Sequence, residues 1–159
     1  MPDTPASLSA KLQTEGAKVR VFFAALTPEE WAITVYTEGA DWSPRSILAH
    51  LVTAERGFLE LFESICQGGG GASEDFSIDR FNARQQEKTR DLAPADLLLQ
   101  YIDARAAMAA YVVSLKGAEL AITGRHPAMG TSTLAEMIKM LYIHNNMHVR
   151  DIKQSISGR

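Results

Sequence analysis

The sequence predicts an all-α protein, a four-helix bundle. Three observations point there. Apolar residues recur at helical spacing in four segments of roughly 20 residues. Cap residues, prolines or glycines stand at the segment ends. No convincing strand pair and no internal repeat is visible between them. With 159 residues and a hydrophobic fraction of 46%, the chain reads as one domain over 1–159 with enough apolar material for a real core.

The first segment runs from Ser7, a candidate N-cap, to Leu26, with Leu8, Leu12, Val19, Phe22 and Phe23 on its stripe. Thr27-Pro28-Glu29-Glu30 starts a short helical turn, with proline at its first position. Residues 36–42 form a connection, which Trp31 and Trp42 pin to the bundle. The β-prone patch Ile33 to Tyr36 is too short to read as more than loop. Ser43-Pro44 opens the second long helix, whose inward stripe is Ile47, His50, Leu51, Ala54, Phe58, Leu61 and Ile65. Gly68 to Gly71 ends it, because each helical glycine costs roughly 1 kcal/mol. A flexible connection is the expectation for this tetraglycine. No Gly-Lys-Ser/Thr follows, which argues against a phosphate loop.

A short helical piece follows over 76–90. Pro94 opens the third long helix, with Leu97, Leu98, Tyr101, Ile102, Met108, Val112 and Leu115 on its apolar side. Gly117 marks its end, unless helix continues to about 123. Residues 124–130 read as loop. Thr133 and Glu136 form a capping box, and the last helix runs from there to about Ser155.

That last helix carries His144 and His148. Residues four apart lie on one helix face about a turn apart, so both imidazoles project the same way. They interrupt the stripe of Leu134, Ile138, Leu141 and Ile152, which should face the core. A buried imidazole needs a partner, and two side by side suit a shared metal or a polar network. His50 interrupts the second helix's stripe in the same way. It lies seven residues past Ser43, about 10 Å into its helix. His148 lies seven residues before Ser155, also about 10 Å in. Antiparallel helices with level ends would therefore bring His50, His144 and His148 to one height. Three neutral imidazoles suit zinc, nickel, iron or copper and leave a coordination position open. Histidines four apart also occur on helices without any metal, so spacing alone leaves packed or solvated histidines as the alternative.

Other residues carry weaker signals. Asn145 stands where a zinc peptidase would have its general-base glutamate, which disfavours that chemistry. Asp151 could orient His148 as a hydrogen-bond acceptor, or sit solvated beside Arg150 and Lys153. Glu55 lies roughly 140° round the helix from His50 and is not expected to be a ligand. His126 is expected to be a solvent-exposed loop histidine, and Arg125 beside it could meet a substrate carboxylate. Cys66 reads as a buried structural thiol. Met137, Met140 and Met147 read as packing residues.

The net charge of −3 provides no electrostatic footprint for nucleic acid, and none is expected as a partner. No apolar run approaches the 18 residues of a membrane span. Met1-Pro2-Asp3-Thr4-Pro5 lacks the basic and apolar regions of a signal peptide. The single cysteine forms no intrachain disulfide. A soluble cytoplasmic protein acting on a small molecule is expected.

Trp42-Ser43-Pro44-Arg45-Ser46-Ile47-Leu48-Ala49-His50-Leu51 resembles the tryptophan, helix-start, histidine-leucine segment of the DinB-like (damage-inducible) superfamily. Phe81-Asn82 resembles its middle region weakly. Thr133 to Ile138, continuing through His144-Asn145-Asn146-Met147-His148, resembles its last helix. The superfamily also contains mycothiol-dependent maleylpyruvate isomerase and bacillithiol-transferase proteins. The resemblance implies an up-down-down-up bundle with helices two and four antiparallel, and a homodimer. It implies that His50, His144 and His148 bind a divalent transition metal, zinc or nickel foremost. It further implies a metal-dependent enzyme of thiol S-transferase, isomerase or hydrolase type, with a low-molecular-weight thiol as a possible co-substrate. The alternative is a non-catalytic, stress-associated dimeric helical module whose metal is structural or adventitious.

Overall fold

The computed structural model describes residues 2–158. Four long helices form the bundle: α1 (Pro5–Ala24), α3 (Pro44–Cys66), α5 (Pro94–Ser114) and α6 (Leu134–Ser157). Two short helices, α2 (Pro28–Trp31) and α4 (Ile78–Thr89), lie in the connections. A 3-10 turn (Gly117–Ala121) and a hairpin of β1 (Thr123–His126) and β2 (Gly130–Thr133) link α5 to α6.

Local chemistry sets the helix starts. Each long helix but α6 opens on a proline, whose missing N–H would be unpaired there in any case. Thr133 caps α6 by accepting from Glu136 N–H, and Glu136 returns the bond to Thr133 N–H. The first helix starts earlier than expected. Thr4, not Ser7, is its N-cap, and Ser7, the third residue of the helix, closes the reciprocal capping box. Pro5 explains the shift, since it favours the first helical position.

Side-chain pairs give the helix directions. Ser9 donates to Ala109 O and Arg105 to Leu12 O, so α1 and α5 run antiparallel. Asn146 bonds Glu15 and Lys153 lies over Phe22, so α1 and α6 run parallel. On α3 and α5, Ile47 and Leu51 share a cluster with Leu97 and Tyr101, while Phe62 and Ile65 share another with Met108 and Val112. Those two helices are therefore parallel. His50, near the start of α3, meets His148, near the end of α6. The topology is up-down-down-up, as the resemblance implies.

The core has two apolar halves with a polar belt between them. One half holds Leu12, Phe62, Met108 and Leu134; the other holds Phe23, Ile47, Leu51 and Leu97. In the belt, Arg105 makes a bidentate pair with Glu55, Nε to Oε1 at 2.6 Å and Nη2 to Oε2 at 3.1 Å. The Asn145 amide is oriented by its neighbours. Its oxygen accepts from Arg105 Nη2 (2.6 Å) and Tyr101 O–H (2.9 Å), and its nitrogen donates to Leu141 O (3.3 Å). Burial works against the charge on Arg105, and Glu55, together with Tyr101 and Glu15, more than offsets it.

Three connections differ from expectation. Residues 124–130 are not plain loop, because β1 and β2 pair antiparallel from Thr123↔Thr133 to His126↔Gly130. Four-residue strands are too short for a period-2 pattern to declare itself. The tetraglycine is not a free tether either. Arg125 N–H donates to Gly70 O (2.9 Å) and Ala72 N–H to Arg125 O (2.8 Å), which ties it to β1 as a third short strip. Gly71 is needed there: its φ is +94°, and a Cβ would stand 2.4 Å from Arg125 N. Finally, the loop patch before Tyr36 closes into a bridge between Tyr36 and Trp42. The two tryptophans do pin this connection, Trp31 by stacking on Phe23 and Trp42 by packing against His50.

Among the described residues no helix is long and apolar enough to cross a membrane.

Candidate metal centre and its cavity

The antiparallel crossing of α3 and α6 brings His50, His144 and His148 together. Among the described residues they form the cluster of ligand-type side chains whose donor atoms could share one ion. His144 Nε2 lies 3.2 Å from His50 Nε2 and 2.9 Å from His148 Nε2. A tetrahedral ion with bonds of 2.0–2.1 Å would set such nitrogens about 3.3 Å apart.

The hydrogen-bond network shows which nitrogen of His148 is bare. Tyr36 O–H donates to Asp151 Oδ2 at 2.6 Å. Its oxygen is then left to accept from His148 Nδ1–H, 2.8 Å away. With hydrogen on Nδ1, the neutral imidazole presents a lone pair at Nε2, toward the other two rings. Three nitrogens facing one point cannot all be satisfied by one another's hydrogens, whereas a cation accepts all three lone pairs. The residues present fit a divalent metal.

Electrostatics agree. Burial, then the neighbouring His144 and His148, lowers His50 to about 3. Burial and His144 lower His148 to about 3. Burial, then His126, lowers His144 as well. The rings are thus neutral at pH 7, the form that ligates. Burial, then the bond to Asp151, pushes the Tyr36 hydroxyl upward, so it keeps its proton.

His50 and His144 also form part of the wall of a cavity of about 500 Å³ between α3, α4, the hairpin and α6. Phe58, Phe76, Phe81, Met129, Met137 and Met140 make most of it apolar. Glu55, Glu60, Asn82, His126 and Asn145 add polar atoms, and among the described residues no lysine or arginine lines it.

The remaining sequence candidates fall out as follows. Asp151 does act on His148, through Tyr36. Glu55 is held by Arg105, and Asn145 is buried in the same belt. His126 is not solvent-exposed as expected. It is 5% exposed, and its ring stacks on Phe58 at 5.0 Å, because alternation along β1 turns it inward with Gly124. Arg125 points outward and pairs with Glu74 at 3.0 Å. Cys66 is half-buried in the last turn of α3, where its thiol lies beside the Tyr111 hydroxyl. Met137 packs in the core and Met140 against the cavity, but Met147 is 40% exposed. Tyr36 escaped the sequence reading. Its only signal was an aromatic pair, Tyr36 and Trp42, flanking a glycine turn.

Solved structures share this fold. YfiT from Bacillus subtilis, described as a probable metal-dependent hydrolase with an unusual four-helix bundle topology, superposes with a TM-score of 0.77 at 15% identity. The match covers 95% of this chain and 85% of that one. An uncharacterised protein from Escherichia coli UTI89 matches with a TM-score of 0.76 at 12% identity, over 99% of this chain and 95% of that one. The colibactin self-resistance protein ClbS, solved in complex with double-stranded DNA, matches with a TM-score of 0.73 at 14% identity, over 97% and 98%. Among curated proteins no significant match was found. The sequence model of the DinB superfamily matches residues 11–152, and the chain belongs to that superfamily.

Proposed function

We propose that this protein is a metal-dependent hydrolase for small, predominantly apolar substrates, with His50, His144 and His148 as the metal ligands. The observation that carries this reading is the convergence of three imidazole rings, two of which line a cavity of about 500 Å³. That volume is in the range of small-molecule sites, which are largely apolar with a few placed polar groups. Bound at three imidazoles, a divalent cation would supply Lewis acidity and an open coordination position. Tyr36 and Asp151 hold the His148 ring in its ligating tautomer. The aromatic and methionine side chains of the wall exclude water and seat the apolar part of the substrate.

The hydrolase reading is preferred over thiol transfer because of the cavity's charge. A low-molecular-weight thiol bearing carboxylates would meet Glu60 there and, among the described lining residues, no lysine or arginine, while Glu55 is already paired with Arg105. The shared fold with a protein described as a probable metal-dependent hydrolase supports the same choice.

The test is elemental analysis of the untagged protein beside His148→Ala, with hydrolysis of p-nitrophenyl esters of apolar acids as the activity readout. The expected result is about one zinc or nickel per chain, lost in the variant, with ester hydrolysis lost on chelation and restored by metal. No metal in either protein, and none taken up from zinc or nickel solutions, would remove the proposed ligand set. Metal uptake with chelator-induced unfolding and no hydrolysis would favour the non-catalytic module.

A further inference from the structure

Another histidine, His126, lines the same cavity. His126 accepts two backbone hydrogen bonds at Nδ1, from Ala128 N–H (3.0 Å) and Met129 N–H (3.1 Å). A nitrogen that accepts carries no hydrogen, so the ring is neutral and its one hydrogen is on Nε2. That Nε2 is buried and has no hydrogen-bond partner among the described residues, so an acceptor reaches it only as the adjoining cavity wall gives way. The turn after β1 therefore fixes the tautomer, and the fold leaves the resulting donor unsatisfied.

Buried donors without acceptors are rare, because each forfeits its hydration and receives nothing in exchange. Asn145 is engaged by Tyr101 and Arg105, and Glu55 by Arg105. His50 Nδ1 is also buried without a partner, but its ring belongs to the triad. His126 lies outside the set of converging metal ligands, yet it lines the cavity they border. Its ring is clamped against Phe58, with planes 17° apart, so the donor has a set direction.

We propose that His126 is a substrate-binding residue, whose Nε2–H donates to a neutral acceptor oxygen, of carbonyl type, on an apolar molecule seated in the cavity. The lack of lysine or arginine among the described lining residues and the presence of Glu60 favour an uncharged acceptor over a carboxylate. Beside the His50 and His144 rings, such a donor would orient the polar end of the substrate toward the triad. This inference rests on the reading of the cavity as the substrate's seat, and not on the metal.

The experiment uses the full chain, before and after chelation, with two probes of one shape. 2-Acetylnaphthalene carries a carbonyl oxygen, and 2-isopropenylnaphthalene has a CH2 group in its place. Dissociation constants are measured for the wild type and for His126→Asn. Asparagine keeps an oxygen for the Ala128 and Met129 amides and has nothing at the Nε2 position. The ratio of ketone to hydrocarbon affinity is expected to fall roughly three- to tenfold in the variant, the range of one net hydrogen bond. In the wild type, nitrogen-15 spectra should show His126 Nδ1 bare and Nε2 protonated. The Nε2–H proton should shift with the ketone and not with the hydrocarbon. A protonated Nδ1, an unmoved Nε2–H, an unchanged affinity ratio, or failure of both probes to bind would each overturn the proposal. If His126→Asn does not fold, the wild-type spectra decide alone. Loss of all metal binding with the ketone preference intact would sink the metal reading and leave this one standing.

Discussion

The hydroxyl of Tyr36 stands 2.8 Å from Nδ1 of His148, a residue 112 positions away, and donates its own hydrogen bond to Asp151. This contact aims the His148 lone pair at His144 and His50. Removing the hydroxyl in Tyr36→Phe keeps the ring packing and frees the imidazole to change tautomer. Metal affinity is expected to fall on the order of 10- to 100-fold with the fold retained. Competition with a chromophoric chelator measures it, and equal affinities would deny Tyr36 this role.

The ion pair between Glu55 and Arg105 is almost fully buried, at 2% and 5% side-chain exposure. Removing one partner strands the other charge among the two apolar halves of the core. Arg105→Met is expected to cost about 3–5 kcal/mol in urea unfolding. Adding Glu55→Leu to it should restore much of the loss. A double variant no more stable than Arg105→Met would show that packing, not the stranded carboxylate, dominates.

Stability of the metal-free protein should depend on pH in two windows. His50 and His148 are lowered from 6.5 to about 3 in the folded state. The unfolded chain therefore takes up their protons first, and folding must exclude them. Their contribution is fully present above about 6.5 and is lost as pH falls from there toward about 3. Glu15 is lowered from 4.5 to about 2 by Asn146, Lys11 and Lys18, so its contribution is lost only below 4.5. Urea midpoints at pH 7.5, 6.5, 5.5 and 4.5 isolate the histidine window. A flat midpoint across it would mean the rings are not held neutral.

Gly71→Ala should loosen the strip that braces the hairpin. The positive φ and the close Arg125 backbone together predict a cost of about 1–3 kcal/mol. Hydrogen exchange at the Ala72 and Arg125 amides should speed up. Gly70→Ala, with nothing within 4 Å of its Cβ, is the control and should leave both amides protected. Equal behaviour of the two variants would refute the strain argument.

Helix identity and helix starts were largely legible in the sequence, because capping boxes, prolines and helical periodicity act over three or four residues. Thr133 with Glu136, and Ser43 before Pro44, are readable in this way without knowing the fold. The shared face of His144 and His148 was legible for the same reason. The hairpin was not, since β1 draws support from Gly70 and Ala72, more than 50 residues upstream. The expectation of an exposed His126 failed on that point: an inward place on a strand is invisible when the strand is.

By itself the sequence determined the local chemistry of this protein: which segments are helical, where they begin, and that two histidines share one face of the last helix. Only the tertiary structure decided that His50 joins them across 94 positions, that Tyr36 sets the tautomer of His148, and that His126 turns its unpaired N–H inward. The physical reason is range. Helix propensity and capping are written into neighbouring residues, whereas convergent lone pairs and buried donors exist only after packing has brought distant elements into contact.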